Sequence, residues 1–187
     1  PRVKAIFHTQ NKGMSITQND GLNTAQGKYI SFIDADDLWA RDKLAEQLKI
    51  LEKNQNLVVW SEGEVINSLG ALTGQTFTQM HKAADKKKEG RIFEELIKGN
   101  FILCSSFMAA RRNVNGLRFS PKLKYMNDWL FFTELAKGRD FYFIKEPLIK
   151  YRIHENSTNK DTTGYLKDTI MLNRIFIQKF SRILSKQ

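Results

Sequence analysis

Apolar and polar positions fall into blocks whose period switches between about two and about 3.6 residues, so strands and helices alternate along the chain. "VKAIFH" alternates weakly and predicts a short strand over residues 3–8. Asn11 and Gly13 then mark a turn, and a helix-like segment runs to near Gly27, with Met14, Ile16, Leu22 and Ala25 as its apolar side. "YISFI" is a continuous β-rich run, suited to a strand covered on both faces. "LWARDKLAEQLKILEKN" predicts an amphipathic helix in which Leu44, Leu48 and Leu51 recur at spacings of four and three.

"LVVWSEGEVIN" predicts another strand, "SLGALTG" a turn or hairpin, and "MHKAADKKKEG" a mobile basic loop. "RIFEELIKG" predicts a short helix closed by Gly99, "FILCSSFMAAR" a central strand, and "DWLFFTELAKG" a helix ended by Gly138. "FYFIKEPLIKYRIH" predicts two short strands broken at Pro147, and "ENSTNKDTTG" a polar loop. The C-terminal stretch from Tyr165 predicts a basic amphipathic helix, with Leu166, Ile170, Phe176, Phe180, Ile183 and Leu184 largely on one side. The alternation of strand and helix argues an α/β fold with a mixed sheet. Ligands of such sheets bind at the carboxyl ends of strands, which is where "DADD", residues 34–37, falls.

The net charge of +10 admits nucleic acid, anionic lipid head groups and phosphorylated substrates as partners. The charge is uneven. Residues 145–187 carry nine Lys or Arg against four acids, whereas residues 34–64 carry eight acids against four bases. An acidic focus inside a basic protein is not what a simple nucleic-acid binder requires, and the chain has no recognisable reading motif. No run of about 18 apolar residues suggests a membrane span, and no signal peptide is evident. Cys104 is the single cysteine, which excludes an intramolecular disulfide and a Cys-based zinc site, mildly favours the cytoplasm, and reads as a buried structural thiol. The first residue is Pro1 rather than Met and strand-like sequence follows at once, so an N-terminal portion is expected to be missing.

Asp34 and Asp36 lie where a strand gives way to a turn and can converge on one point. Convergent carboxylates repel unless a cation neutralises them, and hard oxygen ligands suit Mg²⁺ or Mn²⁺ held jointly with substrate phosphates. Asp37 precedes the amphipathic helix and is expected to cap it. An acidic turn with a capping Asp accounts for the three carboxylates equally well on these residues alone.

The ordered set Asn11-x-Gly13, Asn19-x-Gly21, Ala25-x-Gly27 and Asp34-x-Asp36-Asp37, the last after a hydrophobic strand, resembles the nucleotide-sugar half-site of family 2 glycosyltransferases, enzymes of the GT-A fold. "GNFILCSSFMAARR", "MNDWLFFTELA" and "EPLIKYRIHENSTN" resemble the strand along the sugar pocket, the helix that carries the base, and the closing Tyr-Arg-x-His loop. Two positions depart from the family pattern: Gln18 stands where Arg is usual, and Asn127 where an acid often precedes the base. The family's opening strand–helix–strand, which holds the nucleobase, has no counterpart in this sequence.

The resemblance implies a Rossmann-like nucleotide-diphospho-sugar transferase fold, a mixed sheet flanked by helices, N-terminally incomplete. It implies a catalytic domain over residues 1–158, followed at 159–187 by the basic amphipathic helix. Asn11, Gly13, Asn19, Asp34 and Arg152 would contact the donor, with Asp34 on the ribose or a metal-bound water and Arg152 on phosphate oxygens. Asp36 would ligate Mn²⁺ or Mg²⁺, with His154 as a further ligand, and Asp128 would be the general base of an inverting transfer. Read from the residues alone, an N-cap is the better account of Asp128, and Arg152 with His154 fits a solvated basic loop; Ser105 and Ser106 could reach the sugar or acceptor but read as ordinary strand residues. The expected partners are a nucleotide-diphospho-sugar, most simply a UDP-sugar, and a carbohydrate or lipid-linked acceptor, with peripheral membrane contact through the last helix. The expected setting is the cytoplasmic face of bacterial surface polysaccharide synthesis. The competing expectation is a catalytically incomplete fragment that acts as a binding module.

Overall fold

A computed structural model describes residues 2–155 and 161–184. Pro1, half of the predicted polar loop before the last helix, the final three residues and the side chain of Leu184 lie outside the described residues. The first half contains α1 (Met14–Thr24), β1 (Tyr29–Ser31), β2 (Leu38–Trp39), α2 (Lys43–Lys53), β3 (Val58–Ile66), β4 (Leu72–Thr76), α3 (Phe77–Met80) and α4 (Phe93–Lys98). A 3₁₀ turn, Cys104–Ser106, leads to β5 (Met108–Ala110), α5 (Arg111–Val114), α6 (Asn127–Ala136), β6 (Phe141–Arg152) and α7 (Thr162–Leu184). These elements form two compact units, one within residues 1–26, 118–131 and 158–187, the other within 27–117 and 132–157.

The second unit holds the sheet. Its strand order is β1-β5-β3-β6-β2, with β4 paired to β3. β3 and β6 run parallel and the other pairs are antiparallel, so the sheet is mixed as expected. β3 is the spine: β6 pairs along its whole length, while β5 pairs at Val58–Val59 and β4 near Glu64 and Ile66. Val58, Val59, Trp60, Val65 and Ile66 are fully or almost fully buried, as a strand covered on both faces requires. Successive strand residues point to opposite faces. Leu148 packs with Leu51 and Val59 on one face, and its neighbour Ile149 packs with Phe77 and Leu103 on the other. Trp60 adds an aromatic contact with Phe143 at 4.3 Å between ring centroids.

Several elements differ from expectation for physical reasons. Residues 3–8 form no strand; Phe7 is 89% exposed, and no described strand pairs with the segment. β6 is one 12-residue strand rather than two. Pro147, which has no N–H to donate, sits where the pairing with β3 shifts register around Glu62, so the ladder bulges instead of breaking. The central strand expected at 101–111 is interrupted by a 3₁₀ turn at Cys104–Ser106, and strand pairing begins only at Met108.

The amphipathic helix begins at Lys43, because Leu38 and Trp39 first pair with Lys150 and Ile149 of β6. Its buried residues are Lys43, Gln47 and Leu51, while Leu44 is exposed, so the helix turns a partly polar face inward.

The first unit is held by polar side chains as much as by apolar ones. In α1, Ser15 is buried and Met14 exposed, opposite to the apolar side that the sequence suggests. Ser15, Asn19 and Asn23 repeat at a spacing of four and meet the segment at residues 118–123. Ser15 Oγ donates to Ser120 O at 3.0 Å, Asn19 exchanges two 2.8 Å bonds with the Phe119 backbone, and Asn23 accepts from Arg118 at 2.8 Å. Phe119 stacks on Phe131 at 4.3 Å, and Phe176 and Phe180 of α7 are buried.

Candidate active site

The carboxylate turn joins β1 to β2 and is fastened by Ser105. Asp34 N–H donates to Ser105 Oγ at 3.0 Å, and the same hydroxyl donates to Asp37 Oδ2 at 2.6 Å. Asp37 Oδ1 accepts the backbone N–H of Arg152 at 3.0 Å, which ties the turn to the carboxyl end of β6. Asp37 therefore caps no helix, contrary to expectation. It is buried, and α2 starts six residues later with Asp42 at its N-cap position. Burial pushes the Asp37 carboxyl up to about 6, against the bonds from Ser105 and Arg152 that pull it down.

Asp36 points the other way, into solvent. Its Oδ2 lies 3.0 Å from His154 Nε2, so the two residues proposed from sequence as ligands of one ion are neighbours. Asp34 is partly exposed, and its carboxyl is raised first by burial and then by the charge of Asp36. Arg152 grips the turn: Nε donates to Asp36 O at 2.9 Å and Nη1 to the carbonyls of Asn67 and Ser68 at 3.2 Å. Asp34, Asp36, Arg152 and His154 are thus brought together at the carboxyl ends of β3 and β6. Among the described residues no group of three His, Cys, Asp or Glu side chains is arranged to hold a metal alone. Asp36 and His154 would hold a divalent cation only together with substrate phosphates, the carboxylate suiting Mg²⁺ or Mn²⁺ and the imidazole Mn²⁺ rather than Mg²⁺.

The other predicted site residues lie in the first unit. Asn11 Oδ1 accepts Gly13 N–H at 2.8 Å, and Gly13 adopts φ +83°, so the first Asn-x-Gly is a turn that aims α1. The amide of Asn19 is fully engaged by Phe119 as described above. Asp128 is in the first turn of α6 and its Oδ1 accepts Trp129 N–H at 2.7 Å. Asp168 of α7 takes the N–H groups of Tyr125 at 2.6 Å and Met126 at 3.1 Å, just ahead of that helix. Asn127 Nδ2 donates to Gln18 Oε1 at 2.8 Å. His8 pairs with Asp20 at 2.9 Å, and His81 stacks on Phe77, outside the carboxylate cluster as expected.

Sequence reasoning undervalued Ser105 and missed Lys43. Ser105 carried no signal, being one of two serines in an apolar run. Lys43 had one: it sits four residues before Gln47 and eight before Leu51, on the stripe that proves to be buried.

A mixed sheet with a carboxylate turn at the carboxyl end of its parallel pair is the architecture of the GT-A fold. Solved structures agree. S. aureus TarS 1–349 in complex with UDP-GlcNAc superposes with a TM-score of 0.59 at 18% identity, covering 83% of this chain and 43% of that one. TarS 1–349 without that ligand gives 0.54 at 17% identity, covering 93% and 55%. At these identities the likeness shows the fold.

The chain belongs to glycosyl transferase family 2, whose model matches residues 1–117. Among curated relatives, it is 27% identical over 176 residues to a Bacillus subtilis (strain 168) protein named as a teichuronic acid biosynthesis glycosyltransferase, TuaG, covering 92% of this chain and 66% of that protein. It is 33% identical over 136 residues to an uncharacterized glycosyltransferase of Haemophilus influenzae, covering 73% of this chain and 50% of that protein. The chain thus spans two thirds or less of the length of these relatives.

Proposed function

We propose that this chain carries the metal-binding half of an inverting glycosyltransferase that moves a sugar from a nucleotide-diphospho-sugar, most simply a UDP-sugar, to a carbohydrate or lipid-linked acceptor. The observation that carries the reading is the Asp36–His154 pair, set on a turn that Ser105 and β6 hold rigidly from behind. Mn²⁺ or Mg²⁺ held by Asp36 and His154 would offset the charge that gathers on the departing nucleoside diphosphate.

In this reading the chain's own groups divide the remaining work. Asp34, beside Asp36, would orient the ribose of the donor or a water next to it. Arg152 fixes the turn through Nε and Nη1, and its guanidinium would also serve a phosphate oxygen. Asp128 removes the proton from the acceptor hydroxyl as it attacks the anomeric carbon opposite the leaving group. Asn11, Gly13 and Asn19 act on the donor indirectly, by shaping α1.

Bacterial cell-surface polysaccharide synthesis at the cytoplasmic face is the proposed setting. The relatives' names support it, and so does α7, where Leu166, Ile170 and Ile177 are exposed on a basic helix. No described helix is long and apolar enough to cross a membrane, so the membrane contact proposed here is peripheral. The test is transfer, or donor hydrolysis, by the full-length protein and its Asp36→Ala and Asp128→Ala variants. Loss of turnover in both is expected; full activity in either sinks the corresponding role.

A further inference from the structure

Behind the carboxylate turn, three consecutive carbonyls are each held by a different side chain. Trp39 Nε1 donates to Ser105 O at 2.8 Å, Gln47 Nε2 donates to Ser106 O at 2.6 Å, and Ser31 Oγ donates to Phe107 O. One residue touches all three of these side chains. Lys43 is 0% exposed; its Nζ donates to Ser31 Oγ at 3.0 Å and to Gln47 Oε1 at 2.7 Å, and lies 4.2 Å from the centre of the Trp39 ring. The ammonium thus gathers a serine from β1, an indole from β2 and an amide one turn along α2 around a single charge.

A packing role does not call for this residue. Met or Leu fills a similar volume without bringing a charge out of water. Burial pulls the Lys43 ammonium down to about 7, the mark of a charge that the site does not compensate with a carboxylate. What lysine supplies and an apolar residue lacks is N–H donors that radiate from one point. Here two of them meet acceptors and the charge meets an aromatic face.

We propose that Lys43 is a positioning residue of the donor site. It locks Ser31, Gln47 and Trp39, these fix the backbone of residues 105–107, and Ser105 in turn sets Asp34 through its N–H and Asp37 through its carboxylate. The proposal rests on reading the carboxylate turn as the donor site.

The experiment uses the full-length protein with Lys43→Met, Ser105→Ala and the double variant, and reads three quantities. Thermal unfolding of Lys43→Met at neutral pH is expected at or above the wild-type midpoint. The kcat for transfer is expected to fall about tenfold or more in each single variant. The double variant should fall no further than the worse single by more than about twofold, because both act through one path. Amide hydrogen exchange at Asp34, whose N–H Ser105 Oγ accepts at 3.0 Å, should quicken in Lys43→Met as in Ser105→Ala, since both loosen that bond.

A folded Lys43→Met with wild-type kcat overturns the proposal. So does a double variant in which the losses multiply, or Asp34 amide exchange in Lys43→Met that matches wild type. Should Lys43→Met fail to fold, Ser31→Ala and Gln47→Leu remove one arm each and must show the same faster Asp34 exchange. Should the wild type transfer no sugar, the donor-site reading fails, while Asp34 amide exchange still decides whether Lys43 positions the turn.

Discussion

Asn127 Nδ2 donates to Gln18 Oε1 at 2.8 Å, across 109 residues of sequence, and Asn127 is 1% exposed. These are the two positions at which the chain departs from the family pattern, where an Arg and an acid are usual. The departures are partners: one neutral amide answers another. The pair keeps a bond beside Asp128 without burying charge. Asn127→Asp alone places a carboxylate opposite an amide and should cost about 3 kcal/mol, while Gln18→Arg added to it should recover most of that loss. A double-mutant cycle by urea unfolding reads the coupling. Costs that simply add would show that the two positions are independent.

Asn19 bears on whether the second Asn-x-Gly motif binds donor or builds the fold. Its Oδ1 and Nδ2 both engage the Phe119 backbone at 2.8 Å. Asn19→Leu leaves an N–H and a C=O of Phe119 unmet and is expected to lose about 2–4 kcal/mol of stability. Donor affinity of the folded fraction should stay close to wild type. A variant of normal stability that no longer binds UDP would place Asn19 on the ligand instead.

The sheet was legible in the chain because β3 is a long buried run and β6 carries apolar residues on both sides of Pro147, and the turn at 34–37 because three carboxylates after an apolar strand are unusual. The errors share a cause. Residues 3–8 alternate like a strand but find no described partner, and a ladder needs one. α1 and α2 turn Ser15, Asn19, Lys43 and Gln47 inward, and a rule that looks for apolar stripes cannot see a helix whose buried face is satisfied by hydrogen bonds. Asp37 looked like a cap because β2, only two residues long, is too short to show a period before α2 begins. The candidate residues of the second unit, Asp34, Asp36, Arg152 and His154, lie together because one turn and one strand end carry them all. Ser105 and Lys43 lie behind the turn: Ser105 looks like any serine in an apolar run, and Lys43 shows only through the stripe it shares with Gln47 and Leu51.

The carboxyl of Asp37 gives stability a pH dependence with a definite sign. Its ordinary value is 3.8 and burial raises it to about 6 in the folded chain. The folded state therefore holds this proton more tightly than the unfolded state does. Stability from this group is greatest below the unfolded value, falls as pH climbs through the window from about 4 to about 6, and is constant above it. Asp37→Asn removes the titration. The difference in unfolding free energy, wild type minus variant, should become less favourable across that window and flatten beyond it. A difference that is flat from pH 4 to pH 7 would mean that Asp37 ionises normally.

Asp36 and His154 lie 3.0 Å apart at the open side of the turn, and a divalent cation between them would change how every nearby carboxyl titrates. Asp34 is held up by burial and then by the charge of Asp36. A cation offsets both carboxylates, so metal binding should release protons and weaken as pH falls through the raised Asp34 range. Asp36→Ala and His154→Ala should each reduce Mn²⁺-dependent UDP binding by about tenfold or more. Chelation with EDTA should reduce wild-type binding to the level of Asp36→Ala and leave that variant unchanged. Calorimetric titration of the full-length protein with UDP, with and without Mn²⁺, gives all four values. Wild-type binding that survives EDTA intact would remove the metal from the site and leave Asp36 and His154 as a hydrogen-bonded pair that closes the turn.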